Sequence, residues 1–256
     1  MLELKNVSAG YFGQNIIRDI FLDFEPGRIY SIVGRNGCGK STLLKTCAGL
    51  LENSGGSIRL NGRELKQYAP VERACLLSYF SQSRSVPAIS AERLVEHGRY
   101  PRLSSPRRLN DGDRRIVEKS MERMQIAHLR NKKLHELSGG ERQRVYIAML
   151  LAQDTPVLLL DEPTTYMDVE HQLALLELMQ ELKREGKCVV MVLHDLPHAL
   201  KYSDTIIAME NGRIVSCAAP EAMLADRTLE QIFHVEIEAI GNPPQGYILK
   251  KTNPCQ

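Results

Sequence analysis

A glycine-rich segment between an apolar run and a helical pattern constrains the fold of this chain more than any other feature. The segment "GRNGCGKST" spans Gly34 to Thr42 and directly follows the apolar run "RIYSIV" at positions 28–33. Its spacing, G-x-x-x-x-G-K-S, lets successive backbone N–H groups surround an anion while the lysine reaches the outer phosphates. Because an ordinary turn between a strand and a helix does not need this set of residues, the sequence predicts a phosphate-binding loop that binds ATP or GTP.

Two further apolar runs predict that the strand before this loop lies in a parallel sheet. The runs are "PVLLLD" at positions 156–161 and "KCVVMVLHD" at positions 187–195, and turn signals bound each of them. Nearly continuous apolar strands are typical of parallel sheets buried on both faces. Between the runs, from position 168 to 185, apolar residues at 169, 173, 176 and 179 follow helical spacing. This alternation predicts an α/β fold with a parallel-sheet core.

The rest of the chain divides into three regions of different pattern. The first 30 residues alternate between apolar and polar side chains, as does "GGSIRLNGREL" at positions 55–65, which favours half-buried antiparallel strands. Positions 88–154 contain no strand pattern and predict a helical insertion. The turn at Pro243-Pro244 predicts a short pair of strands near the C-terminus.

The overall composition is typical of a soluble globular protein. Of 256 residues, 43% are hydrophobic and 25% are charged. No apolar run approaches the roughly 18 residues that would span a bilayer, and the N-terminus has no signal-peptide profile. The six cysteines have no paired spacing that predicts zinc binding or disulfides, so we expect reduced thiols in a cytosolic protein.

Positive charge is concentrated in the predicted helical insertion. Between Arg99 and Lys133 there are 11 Lys or Arg and four Asp or Glu, a net charge of +7, so the rest of the chain carries −5 of the total of +2. A solvated helical face explains such a stretch. The alternative is a surface for an anionic partner, for which lipid headgroups are preferred to nucleic acid.

Two adjacent carboxylates end the second apolar run. In a parallel sheet, Asp161 lies at the same carboxyl edge as the phosphate-binding loop. We therefore expect Asp161 and Ser41 to hold Mg²⁺ beside the bound phosphates. Glu162 follows directly and can orient an attacking water as a general base. The alternative is that Glu162 only caps the turn before Pro163.

The helical pattern after Ser138 opens with two glycines, Gly139 and Gly140. Ser138 and Glu141 have the spacing of a capping box, which explains both of these residues. It does not explain the glycines, each of which costs a helix about 0.8–1 kcal/mol relative to alanine. Paired glycines at a helix N-terminus indicate that an anion approaches the backbone closely.

The segment "LSGGERQ", Leu137 to Gln143, resembles the signature motif of ABC-type ATPases, and the resemblance extends from Tyr11 to about Val235. It implies a P-loop NTPase of ABC type, with a parallel-sheet RecA-like core, an N-terminal antiparallel β subdomain and an inserted helical subdomain. The implied divisions are an ABC ATPase domain at 1–236, made of core and β parts at about 1–87 and 155–236 and a helical part at about 88–154, and a C-terminal extension at 237–256.

The resemblance also implies roles for individual residues. Tyr11 would stack on adenine, Gln82 would reach Mg²⁺ and the attacking water, and His194 would contact the γ-phosphate. Taken alone, these residues are also compatible with an ordinary tyrosine, an ordinary glutamine and a capped histidine. The residues expected to bind ATP are Tyr11, Gly34, Arg35, Asn36, Gly37, Cys38, Gly39, Lys40, Ser41 and Thr42. Those expected to be catalytic are Gln82, Glu162 and His194, and those expected to bind Mg²⁺ are Ser41, Gln82 and Asp161.

Members of this family pack two ATPase domains head to tail, which accounts for the glycines at the start of the helix. The resemblance implies that the signature segment of one copy contacts ATP bound to the other, so that a homodimer is the functional unit. Arg35, Cys38 and Met167 differ from the residues frequent in the family, but no catalytic residue is missing. The residues expected to contact ATP in trans are Ser138, Gly139, Gly140, Glu141, Gln143 and Asp168.

Several shorter segments are similar to the importer ATPases that serve iron–siderophore, haem and vitamin B12 uptake in bacteria. They include "GRYP" at 98–101, "HQL" at 171–173 and "VMVLHDLPHALKYSD" at 190–204, and "DEPTTYMD" at 161–168 is closest to the iron–siderophore members. The resemblance implies iron-chelate import, membrane-spanning permease subunits, an extracytoplasmic substrate-binding protein and a peripheral position on the cytoplasmic face of the inner membrane. We expect the segment 83–102 to dock the permease; an ordinary mobile loop is the alternative.

Two other functions remain open at this point. The importer could serve haem or cobalamin, because the ATPase does not touch its cargo. A soluble ABC ATPase that acts in iron–sulfur cluster assembly or other macromolecular assembly would have the same site without membrane partners. A regulatory module that only binds nucleotide conflicts with the presence of both Glu162 and His194.

Overall fold

The computed structural model describes residues 1–81, 86–104, 108–241, 244 and 246–251. Within them the chain forms three β-sheets and nine α-helices. The strands are β1 (Leu2–Tyr11), β2 (Gln14–Phe24), β3 (Ile29–Val33), β4 (Asn53–Leu60), β5 (Arg63–Glu64), β6 (Leu77–Phe80), β7 (Val157–Asp161), β8 (Cys188–Val192), β9 (Thr205–Glu210), β10 (Arg213–Ala218), β11 (Val235–Ile240) and β12 (Gly246–Lys251). The helices are α1 (Lys40–Cys47), α2 (Pro70–Leu76), α3 (Ala91–His97), α4 (Asp111–Arg123), α5 (Gly139–Gln153), α6 (Val169–Arg184), α7 (Leu196–Tyr202), α8 (Pro220–Ala225) and α9 (Thr228–Phe233).

The N-terminal strands form the antiparallel sheet that the alternating pattern predicts. Its strand order is β2-β1-β4-β5, and all of its pairs are antiparallel. Along β1 the side chains of Leu2, Leu4 and Ala9 are buried, whereas Lys5 between them is exposed. One face of this sheet therefore packs on the core and the other faces solvent.

A six-stranded sheet forms the centre of the molecule, in the order β10-β9-β3-β8-β7-β6. Its neighbouring strands run parallel, except that β10 pairs antiparallel with β9. Every residue of β3, β7 and β8 is buried, which confirms the parallel-sheet core and the predicted α/β fold. Because these three strands point the same way, the segments that follow them meet at one edge of the sheet.

The six-stranded sheet carries a hydrophobic core on each face. On one face, Ile32, Leu159 and Val190 pack with α1 and the antiparallel sheet. On the other face, Leu158 and Leu160 pack with the remaining long helices. Each fully buried leucine, isoleucine or valine contributes roughly 1.5–3 kcal/mol relative to an exposed position, so these two cores hold the sheet edge in place.

The described residues between β6 and β7 contain helices, as the sequence pattern predicts. Helices α3, α4 and α5 pack on one another there. In the described part of positions 88–154, strand pairing is limited to an isolated bridge between Ser90 and Lys133. The exact limits of a helical subdomain at 88 and 154 stay a prediction.

Helix α6 forms where the sequence predicts a helix, with a difference at its first turn. Its buried stripe consists of Leu175, Leu176, Leu178, Met179 and Leu182. Val169, which was expected to belong to this stripe, is 69% exposed. The reason is that the first turn of α6 lies at the surface.

The predicted pair of strands near the C-terminus is present, because β11 and β12 form an antiparallel two-stranded sheet. Val235, Ile237 and Tyr247 of this sheet pack against the core. Of the predicted turn, Pro243 lies outside the described residues.

Over the part of the chain that the structure describes, no helix has the length and apolar character needed to cross a bilayer. The five cysteines that belong to this part of the chain are free thiols.

A buried ion pair joins the three helices of the insertion. Arg99 Nε lies 3.0 Å from Asp113 Oδ1, and each side chain is 7% exposed. Arg99 also donates to the carbonyl oxygen of Ala152 at 2.8 Å, while Asp113 Oδ2 accepts from the backbone N–H of Asn110 at 3.2 Å. Arg99 belongs to the segment that was expected to form a docking surface, but its side chain lies inside the protein.

We predict that Arg99→Leu lowers the free energy of unfolding by about 3–5 kcal/mol, because it leaves the buried Asp113 carboxylate without its counter-charge. Urea denaturation of the purified protein measures this loss. The matched control is Arg28→Leu, which removes an exposed pair with Glu25 and should cost less than about 1 kcal/mol. Equal losses in the two variants would contradict the structural role of the Arg99–Asp113 pair.

Candidate functional site

An open cleft of about 480 Å³ lies at the edge of the central sheet where β3, β7 and β8 end. It brings eight of the predicted site residues together with Ile16, from four separate parts of the chain. Its lining is formed by Ile16, Asn36, Gly37, Gly39, Lys40, Ser41, Thr42, Glu162 and His194.

The glycines of the phosphate-binding loop allow the chain to turn tightly between β3 and α1. Gly37 and Gly39 have φ angles of 82° and 104°, which side chains with a Cβ rarely adopt. A Cβ on Gly39 would also lie 2.8 Å from Ile17 Cγ2. The loop therefore needs glycine for its own conformation and presents backbone to the cleft.

The ammonium group of Lys40 is held against the same loop. Its Nζ donates to the carbonyl oxygens of Gly34 at 2.7 Å and Arg35 at 3.1 Å, and the side chain is buried. Burial raises the pKa of the neighbouring Cys38 thiol, so this uncommon loop residue is a neutral group. The guanidinium of Arg35 points elsewhere and lies 3.3 Å from His234 Nε2.

Asp161, at the end of β7, receives hydrogen bonds from two hydroxyl groups. Ser41 Oγ donates to Oδ1 at 3.0 Å and Tyr79 Oη donates to Oδ2 at 3.3 Å. Burial raises the pKa of Asp161 above its usual value, although the bond from Ser41 opposes this shift. The structure thus brings together Ser41 and Asp161, whereas Gln82, the third expected metal ligand, lies outside the described residues.

Glu162 and His194 meet at the back of the cleft. His194 Nε2 lies 2.6 Å from Glu162 Oε1, and Thr165 Oγ1 donates to Glu162 Oε2 at 3.4 Å. The backbone of Glu162 has a φ of 52°, an uncommon value for a residue other than glycine. Asp195, the next residue, caps α7 by accepting from the backbone N–H of His198 at 2.8 Å.

The signature helix α5 begins with the predicted capping box. The N–H of Glu141 donates to Ser138 Oγ at 3.2 Å, and the N–H of Ser138 donates to Glu141 Oε2 at 2.8 Å, which lowers the pKa of Glu141. A Cβ on Gly139 would meet Tyr166 Cβ at 3.6 Å, an ordinary contact. A Cβ on Gly140 would meet the carbonyl oxygen of Tyr166 at 3.1 Å, which is tight. Neighbouring atoms of the same chain therefore do not require glycine at Gly139.

Two other residues that were expected to contact ATP in trans form hydrogen bonds within their own chain. Gln143 is buried, and its Nε2 donates to the carbonyl oxygen of Pro163 at 2.9 Å. Asp168 caps α6 by accepting from the N–H of His171 at 2.9 Å, and this bond together with the His171 side chain lowers the pKa of Asp168. Tyr11 is 40% exposed at the end of β1. Neither Tyr11 nor the signature segment is among the residues that line the cleft.

Comparison with known proteins identifies the kind of chain that carries this site. The family model described as ABC transporter matches residues 17–165. The iron(3+)-hydroxamate import ATP-binding protein FhuC of Bacillus subtilis is 37% identical over 94% of this chain and 91% of its own length.

The chain belongs to the ABC transporter family.

Further relatives agree with this assignment. The ferric enterobactin transport ATP-binding protein FepC of Escherichia coli is 38% identical over 94% of this chain and 90% of its own length. The hemin import ATP-binding protein HmuV of Pseudomonas entomophila is 36% identical over 97% of this chain and 98% of its own length. Among solved structures, the dimeric structure of MJ0796, a bacterial ABC transporter cassette, matches with a TM-score of 0.78 and 25% identity over 86% of this chain and 99% of its own.

As an ABC ATPase, the chain binds ATP and couples its hydrolysis to transport. The cleft has the groups that this activity needs, since it combines an anion-binding loop and a lysine with the carboxylate of Glu162. The buried carboxylate of Asp161 is bonded to Ser41, which lines the cleft. The fold also agrees with the ABC type of P-loop NTPase that the sequence predicted.

Sequence reasoning missed two residues of this ABC ATPase that contact its carboxylates. Thr165 bonds Glu162 and Tyr79 bonds Asp161. A possible signal for Thr165 was its spacing of three residues from Glu162 within one turn. Tyr79 gave no local signal, because its contact depends on the pairing of β6 with β7, whose sequences are about 80 positions apart.

Proposed function

We propose that this chain is the ATP-hydrolysing subunit of an importer for iron chelates. The observation that supports hydrolysis most directly is the contact between Glu162 and His194 at 2.6 Å, beside the lysine of the phosphate-binding loop. The names of the relatives FhuC and FepC, which refer to ferric hydroxamate and ferric enterobactin, support the iron-chelate part. The ATPase subunit of a transporter does not touch the cargo, so the assignment of a cargo depends on these relatives alone.

The residues at the cleft fit Mg²⁺. Ser41 Oγ and Asp161 Oδ1 are oxygen atoms that can ligate a metal ion, and they lie 3.0 Å apart at the base of the loop. Mg²⁺ prefers such oxygen ligands together with substrate phosphates. We expect Ser41 and Asp161 to hold the ion, with Gln82 as a further ligand. When bound, the ion supplies positive charge that stabilises the phosphate oxygens.

The chain's own residues would perform the remaining steps. Lys40 Nζ would exchange its bonds to loop carbonyls for bonds to the outer phosphates of ATP. Glu162 would accept a proton from the water that attacks the γ-phosphate. His194 Nε2 would hold the Glu162 carboxylate in place and contact the γ-phosphate. Tyr11 would stack on the adenine ring.

A second copy of the chain would complete each site. The signature residues do not line the cleft of their own chain, and Gly139 has no neighbour in its own chain that excludes a Cβ. Both observations are accounted for if Ser138, Gly139 and Gly140 approach ATP bound to a second copy, packed head to tail. Asp168 lies on the exposed turn before α6 and would cross the same interface. The dimeric MJ0796 cassette supports this arrangement.

The transport part of the proposal requires membrane partners. We propose that two permease subunits bind the chain at the cytoplasmic face of the membrane, and that an extracytoplasmic substrate-binding protein delivers the chelate. Of the expected docking segment, residues 83–85 lie outside the described residues and Arg99 is buried. Arg93 is exposed and lies beside Glu96, so it is a better candidate for contact with a permease.

Two alternatives stay in competition with iron-chelate import. The similarity to HmuV supports haem as a cargo almost as well as FhuC supports a siderophore, and cobalamin remains a third candidate. A soluble ATPase of iron–sulfur cluster or other macromolecular assembly would share the cleft and the dimer but would have no permease. The partners of the protein distinguish these functions.

We predict that Glu162→Gln lowers ATP hydrolysis by at least about a hundredfold and traps an ATP-bound dimer, because the amide cannot accept a proton from water. Steady-state phosphate release and size-exclusion chromatography in saturating ATP measure the two effects. Glu170→Gln, an exposed change in the first turn of α6, is the matched control and should keep wild-type hydrolysis. A Glu162→Gln protein that stays monomeric in saturating ATP would contradict both the role of Glu162 and the trans site.

We predict that Gly139→Ala leaves the free energy of unfolding unchanged or raises it by up to about 1 kcal/mol, because alanine favours the helix and its Cβ makes only an ordinary contact with Tyr166. The same change should lower ATP hydrolysis at least tenfold by blocking close approach to ATP in trans. Gly112→Ala, in the first turn of α4, is the control and should keep hydrolysis. Full activity of Gly139→Ala would refute the trans approach.

We predict that tagged Glu162→Gln protein, isolated from its native host in mild detergent with ATP, carries a polytopic membrane protein that mass spectrometry identifies. Arg93→Glu added to this variant should weaken the association, whereas Arg28→Glu should not. Recovery of soluble partners alone would rule out import and favour an assembly factor.

An uptake assay with radioactive iron in a strain that lacks the gene identifies the cargo. Loss of iron uptake from a ferric siderophore, but not from haem, would identify the cargo as an iron chelate of the siderophore class.

A further inference from the structure

A hydroxyl group on β6 bonds the carboxylate of Asp161. Tyr79 Oη donates to Asp161 Oδ2 at 3.3 Å. Ser41 Oγ bonds the other oxygen of Asp161 at 3.0 Å. Both carboxylate oxygens are therefore engaged by hydroxyl donors from different parts of the fold.

The pairing of β6 with β7 sets the position of Tyr79. Tyr79 lies directly opposite Leu159 in this parallel pair, and Asp161 follows two residues later on the same face of β7. The aromatic ring packs against the core formed with α1 and the antiparallel sheet. The ring is thus fixed by packing, and its hydroxyl reaches the end of the neighbouring strand.

The hydroxyl of Tyr79 acts as a donor to Asp161. A tyrosine hydroxyl can donate one hydrogen bond, and Asp161 Oδ2 accepts it. The Asp161 side chain is buried, and a buried carboxylate needs donors of this kind in place of water.

We propose that Tyr79 is a positioning residue for the metal-binding carboxylate, holding Asp161 Oδ2 so that Oδ1 faces Ser41 and the bound Mg²⁺. This inference rests on the proposed ATP–Mg²⁺ site. Residues that orient a metal ligand from outside the coordination shell commonly change metal affinity by roughly 10–100-fold when they are removed. The competing explanation is that Tyr79 only uses Asp161 to satisfy its own hydroxyl.

Tyr79→Phe separates these explanations because it removes the hydroxyl and keeps the ring. The probe is Mn²⁺ in place of Mg²⁺. Mn²⁺ is titrated into a mixture of full-length protein and a non-hydrolysable ATP analogue, in which the analogue is present at half the protein concentration. Electron paramagnetic resonance reports free Mn²⁺, and a fluorescent ATP analogue in EDTA reports nucleotide affinity without metal. We expect Tyr79→Phe to weaken Mn²⁺ binding roughly tenfold and to leave metal-free nucleotide affinity unchanged. The matched control is Tyr68→Phe, which removes a hydroxyl bonded to the Leu60 carbonyl at 2.7 Å away from the cleft.

The possible results separate this inference from the proposed function. Unchanged Mn²⁺ affinity in Tyr79→Phe, alongside normal wild-type binding, would overturn the positioning role whatever the effect on thermal stability. Failure of the wild-type protein to bind Mn²⁺ with nucleotide would overturn the proposed site as well.

Discussion

The burial of one carboxylate at the end of a strand is the constraint on which the site depends. Asp161 closes β7, whose other residues are all apolar and buried. Taking a carboxylate out of water is costly unless donors replace the water, and burial raises the pKa of this group. Ser41 comes from the start of α1 and Tyr79 from β6, so both donors reach Asp161 only in the strand order that is observed. The chemistry of the site therefore requires this order of strands in the central sheet.

Features that rest on neighbouring residues could be predicted from the sequence. The phosphate-binding loop, the three fully buried strands and the capping box of Ser138 and Glu141 all have local signals, and the structure contains each of them. Features that rest on tertiary packing could not. Arg99 was taken for part of a surface, yet it is buried because α3, α4 and α5 close around its pair with Asp113.

Two residues in the turn after β7 have unfavourable local conformations. Glu162 and Tyr166 both have positive φ angles, which cost of order 1–3 kcal/mol for residues other than glycine. Gly139 and Gly140 weaken the first turn of α5, and Tyr166 lies directly over them. Local conflicts of this kind are expected where a backbone must present itself to something outside its own chain.

The distribution of contacts also explains why ATP could drive a mechanical step. A ligand shifts an equilibrium only by its difference in affinity for two states, so ATP favours a closed dimer only if the closed state adds contacts to it. The cleft of one chain supplies Lys40, Ser41 and Glu162, with Asp161 bonded to Ser41, whereas Gly139 and Gly140 at the start of α5 are not among the residues that line it. The N–H groups of these glycines are the contacts reserved for closure in our proposal. Hydrolysis removes the γ-phosphate that they would bind, and with it the free energy that holds the two copies together.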